Sequence, residues 1–115
     1  MRIICRLSIV VLEDRPILYF KCSDGTVIRK VDNKIEKVST REAICEICNR
    51  IENYIKTLEE KIRKLMLAET FNIEVRPLRK MLEEEVSRVR KVILDLVEGR
   101  EVRDVKISNI VILCF

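Results

Sequence analysis

Cys45 and Cys48 are separated by two residues, the spacing used by zinc half-sites and by thiol–disulfide couples. Zinc takes four ligands, and the chain offers no histidine; Cys5, Cys22 and Cys114 each stand alone in segments that read as strands. A redox pair draws its thiolate from a helix N-terminus, whereas Cys45 falls about six residues beyond the helix start at Ser39, past the turn where the dipole acts. Both thiols therefore read as small hydrophobes. No metal and no cofactor are expected. Five cysteines in a chain without an export signal also argue against a disulfide framework.

Catalysis by the common routes lacks its parts. Without histidine there is no imidazole base for a serine or cysteine nucleophile. Glu83, Glu84 and Glu85 are consecutive, and on a helix such residues point about 100° apart, so they do not converge on a metal. Glu84 and Arg88 read as a surface pair. Gly25 and Gly99 are the chain's two glycines, and neither belongs to a phosphate-binding loop. No catalytic residue is assigned, and the expectation is a protein that is not an enzyme.

Basic residues with aromatic company are the remaining lead. Tyr19 and Lys21 alternate onto one face of a strand, opposite Leu18, Phe20 and Cys22. Arg6 and Ser8 take the polar face of the preceding strand. In a meander, Arg6, Tyr19, Lys21 and a basic residue of the third strand, Arg29 or Lys30, share one sheet face. Were that face open, it could stack a base and track a phosphate backbone, as single-strand binders do. The competing interpretation is an ordinary wet face with edge lysines. A second basic group on the later helix, including Arg76, Arg79 and Arg88, is nearly neutralised by its glutamates.

The elements that must position these residues follow from periodicity. Residues 3–12 form a strand, Glu13 to Pro16 turn the chain, and Ile17 to Cys22 form a second strand. Asp24-Gly25 suits a two-residue hairpin turn, leading to a strand over 26–31; Asp32-Asn33 repeats it before a strand over 34–38. Ser39 and Glu42 fit a capping box. Behind them Ile44, Ile47, Cys48, Ile51, Tyr54, Ile55, Leu58, Ile62, Leu65 and Met66 form one helical stripe to about residue 69. Glu46–Arg50, Glu52–Lys56, Glu59–Arg63 and Glu60–Lys64 are spaced as favourable pairs along that helix. Residues 71–76 read as a short break or strand-like link. Pro77 suits the start of a second helix, with Leu78, Leu82, Val86, Val89, Ile93 and Leu96 inward and Gly99 as the stop. Residues 105–115 end in an unbroken apolar run that suits a strand covered on both faces, beside the first strand.

The fold class is α+β: an antiparallel meander of four strands plus a C-terminal strand, packed against two long helices, in the order ββββααβ. Residues 1–115 make a single domain. The chain has 37% charged residues, few thermolabile amides and a net charge of +4, a composition that suits a thermophile, expected to be archaeal. Residues 1–38 hold 8 basic and 5 acidic groups, so the positive excess lies mainly there. No segment is apolar enough to span a membrane. Glu13 to Pro16 stands where a leader would need a cleavage site, so a cytoplasmic location without membrane contact is expected. The expected function is a non-catalytic nucleic-acid-binding module for single-stranded DNA or RNA. The alternative is a protein–protein assembly or adaptor subunit, a homodimer through the second helix or a pairing at a sheet edge.

Overall fold

The computed structural model describes residues 2–71 and 73–115, with nothing said of the side chain of residue 73. The chain runs β1 (Cys5–Val11), β2 (Ile17–Cys22), β3 (Val27–Val31), β4 (Lys34–Val38), α1 (Thr40–Glu69), a 3-10 turn (Ile73–Val75), α2 (Arg76–Val97), β5 (Arg103–Ile107) and β6 (Ile110–Cys114). All strands join one antiparallel sheet in the order β4-β3-β2-β1-β6-β5. The α+β class and the meander followed by two helices are as the periodicity indicates.

The C-terminal strand is two strands. Ser108 adopts φ 53 in a two-residue turn, and Asn109 fixes that turn to the end of β1 through two hydrogen bonds with Leu12, at 2.8 and 3.1 Å. β6 lies beside β1, as its apolarity suggests, while β5 forms the edge. The Asp24-Gly25 turn is one residue longer than expected. Gly25 N–H donates to the Cys22 carbonyl at 3.0 Å, Gly25 takes φ 88, and the loop spans residues 23–25. The link before α2 is the 3-10 turn rather than strand-like, Asn72 lying outside the described residues.

A bulge at Ser8 decides what β1 shows to each side. Leu7 pairs with Phe20 and Ile9 with Tyr19, so Ser8 is the extra residue. Its hydroxyl accepts from Lys21 N–H at 3.2 Å and donates to the Arg6 carbonyl at 3.0 Å. In consequence Leu7 and Ile9 point to opposite faces, against the simple alternation expected of them.

Both helices cover one face of the sheet. Ile9, Val11, Ile17, Tyr19, Val27, Ile107, Ile110 and Ile112 pack there against Ala43, Ile47, Ile51 and Ile55 of α1 and Val89, Val92 and Leu96 of α2 in one core cluster. Ser39 caps α1 by accepting from Glu42 N–H at 3.0 Å. The hairpin outruns its base. α1 is about 45 Å long at 1.5 Å per residue, yet its buried residues stop at Leu58. The remainder projects, with Phe71 94% and Leu67 71% exposed near its tip. The radius of gyration is accordingly 17.2 Å, against about 13 Å for a compact chain of this length.

Candidate binding surfaces

Tyr19 lies on the covered face and is 0% exposed. Its hydroxyl donates to Glu46 of α1 at 2.8 Å, and burial with that carboxylate beside it pushes the phenol's pKa up. Arg29, its cross-strand neighbour, bridges Glu46 and Glu36, and these hydrogen bonds hold its guanidinium protonated. Tyr19 and Arg29 thus pin α1 to the sheet. The expectation that they sit on an open face is corrected: helix α1 occupies that space, and no base could stack on Tyr19.

Competition for partners accounts for two of the anticipated charge pairs, Glu46–Arg50 and Glu59–Arg63. Glu46 is taken by Tyr19 and Arg29, Arg50 reaches Glu13 at 2.8 Å, and Glu59 crosses to Arg90 at 3.2 Å. Of the four pairs anticipated along α1, Glu60–Lys64 forms, at 3.6 Å. Arg88 pairs with Glu85 at 2.7 Å rather than with Glu84. At the hairpin tip, Glu69 accepts from Arg76 and Arg79 at 2.7 and 2.5 Å, which lowers its pKa to about 2.

Arg6 and Lys21 are direct cross-strand partners on the helix side of the sheet, beyond the C-terminal end of α2. They line a cleft of about 490 Å³ together with Glu101, Arg103, Cys114 and Phe115. The Lys21 ammonium sits 4.9 Å from the centroid of the Phe115 ring. Glu101 accepts from Arg103 at 2.7 Å and from the Cys114 thiol at 3.0 Å, and that bond pushes the thiol's pKa up. Arg103 had no signal in the sequence. It reaches Arg6 and Lys21 only through the pairing of β5 with β6 and of β6 with β1.

Among the described residues, no element of the chain covers the opposite face of the sheet. Register places on it Lys106, Val111, Val10, Leu18, Lys30 and Ile35 in one row. A second row holds Leu7, Phe20, Ile28 and Lys37. Its centre is apolar, with Ile35 64% exposed at one margin. Among the described residues, no ion pair joins Lys30, Lys37 or Lys106 to a carboxylate. Of the five residues expected to bind nucleic acid, Lys30 is the one on this open face. Leu18 and Phe20, on the side of β2 opposite Tyr19 and Lys21, are the residues that face outward.

Cys5 and Cys22 are cross-strand partners and form a disulfide, which corrects the expectation of isolated thiols. The meander register makes that bond available. Cys45 is exposed and Cys48 half-buried; both are free, and burial raises the pKa of the Cys48 thiol. Among the described residues no group of three or more acidic or cysteine side chains could hold a metal, and no helix is long and apolar enough to cross a membrane. Compared with known proteins, the chain matches no family model, no curated sequence and no solved structure.

Proposed function

We propose that this chain is a non-catalytic interaction module that docks a partner protein on its open sheet face, the partner contributing an amphipathic helix with acidic flanks. The single observation that carries the proposal is the apolar centre of that face, formed by Val10, Leu18, Phe20, Ile28 and Val111. An antiparallel sheet with one wet side ordinarily alternates to polar residues there. Six strands about 4.8 Å apart make a face about 24 Å across, room for two helices of about 10 Å, and α1 and α2 occupy the other face in that manner.

Charge selects the occupant. Lys30, Lys37 and Lys106 flank the apolar centre without ion pairs, so a second copy would bring lysines to lysines, whereas carboxylates beside an apolar stripe complement them. This departs from dimerisation through the second helix or a sheet edge, the routes anticipated from sequence. A disulfide such as Cys5–Cys22 ordinarily marks an oxidising compartment, and a cytoplasmic location is compatible with it if the source is a hyperthermophile.

A designed leucine-striped helical peptide with glutamate flanks tests the proposal against its lysine-flanked counterpart. The acidic peptide is expected to bind at least about tenfold more tightly, with binding lost in Phe20→Glu. Equal affinities would overturn the choice of partner. Self-association abolished by Phe20→Glu would overturn it in favour of a second copy.

Single-stranded nucleic acid is the second reading, favoured by Arg6 and Lys21 standing side by side with no ion pair to a carboxylate among the described residues. It predicts oligonucleotide binding that weakens steeply with salt. Absence of binding at low salt would remove it.

A further inference from the structure

We propose that the cleft between Arg6, Lys21 and Arg103 is a binding site for a phosphate monoester, independent of the open sheet face. Arg6 and Lys21 are directly opposed on neighbouring antiparallel strands, where β-carbons lie about 5 Å apart and like charges repel. Neither is within ion-pair distance of a carboxylate, side-chain or terminal, among the described residues. Arg103 adds a third cation to the same cleft, and Glu101, bound to Arg103 and attracted to Lys21 as well, is the acidic side chain among its lining residues. Three cationic side chains against one carboxylate leave an excess of two positive charges, which suits a dianion.

The shapes of the donors agree with that ligand. A guanidinium offers a planar fork that matches phosphate oxygens in pairs, and an ammonium supplies a compact point charge. Lys21 is held over the Phe115 ring at 4.9 Å, so its charge is already positioned toward the cleft. The cleft, at about 490 Å³, falls in the range of small-ligand sites, about 300–1,000 Å³. It has room for more than the phosphate alone. A nucleotide and the 5′ end of a nucleic acid share the required chemistry.

The test titrates inorganic phosphate, adenosine monophosphate, adenosine and a 5′-phosphorylated oligonucleotide into the protein. Readouts are backbone amide shifts at residues 6, 21 and 103 and the alkylation rate of Cys114, located by mass spectrometry against Cys45 and Cys48. Phosphate and phosphate esters are expected to shift those amides and slow Cys114 labelling, while adenosine does neither. Arg6→Gln with Lys21→Gln should weaken binding at least about tenfold, and Lys21→Arg should retain it. Phosphate should also raise the midpoint of thermal unfolding in the unsubstituted chain alone. Tighter binding of the mononucleotide than of the oligonucleotide supports a soluble ligand, and the reverse supports a nucleic-acid end. Unchanged amides and labelling at saturating phosphate, or equal affinity in the doubly substituted chain once its fold is verified by circular dichroism, would overturn the proposal.

Discussion

The two faces of the sheet are nearly equal in apolar content and opposite in fate. One carries Ile9, Val11, Ile17, Tyr19, Val27 and Ile112 under the helices; the other carries Val10, Leu18, Phe20, Ile28 and Val111, with no helix or strand among the described residues packed over them. Hydrophobicity alone therefore does not decide which side is roofed. The covered face is distinguished by side chains that reach upward to specific partners, Tyr19 and Arg29 to Glu46. The open face holds lysines with no such partner. A side chain with a polar end states where its partner lies, and a plain aliphatic does not.

Substitutions should separate the faces. The largest effect belongs to the roofed side: Ile51→Ala should cost about 2–5 kcal/mol in urea unfolding, through lost burial and the cavity left behind. Equal costs for Ile51→Ala and Ile28→Ala would erase the distinction. Reducing the Cys5–Cys22 bond, which closes a sequence separation of 17, should cost about 3 kcal/mol by relaxing the unfolded chain; calorimetry with and without reductant measures this.

Tyr19→Phe should cost about 1–2 kcal/mol, because Glu46 loses a donor in a half-buried place. The pH dependence sharpens the point. The phenol's pKa is raised in the folded state, so its contribution is full below the ordinary tyrosine value of 10.0 and is lost as pH climbs through the folded value. Tyr19→Phe should remove part of the alkaline destabilisation, read from unfolding midpoints across pH.

The smallest effect is local. Glu69 has a depressed pKa of about 2, against an ordinary 4.5, so its hold on Arg76 and Arg79 is full above the ordinary value and lost as pH falls through the depressed one. Hydrogen exchange at residues 66–80 should quicken over that window while residues 43–58 stay protected. Simultaneous loosening of both would mean that the projecting tip and the packed base behave as one unit.

Much of the scaffold was legible because local chemistry is unambiguous there. The Ser39 cap, the stripe through Ile47, Ile51 and Ile55 and the stop at Gly99 read directly, and the unbroken apolar run of β6 pointed to β1. The faces were not legible. β2 offers Ile17 and Tyr19 on one side and Leu18 and Phe20 on the other, so alternation gave no preference, and the Ser8 bulge displaced β1 by one residue. The Ser108 turn carried no glycine to announce it. Arg6 and Lys21 were expected to share one face, and the hairpin register joins them, though on the helix side rather than on an open face. Arg103 lies far along the chain and arrives through the β5–β6 hairpin, a connection that charge and spacing do not encode.

The most direct measurement is the urea unfolding of a chain carrying Leu18→Thr and Phe20→Thr, with a hydrophobic dye binding to the native state. Threonine keeps strand propensity while removing the apolar surface. Stability within about 1 kcal/mol of the unsubstituted chain, with dye fluorescence sharply reduced, is the predicted result. A loss of about 3 kcal/mol or more, with dye binding unchanged, would mean that this face is interior and that no docking surface exists there.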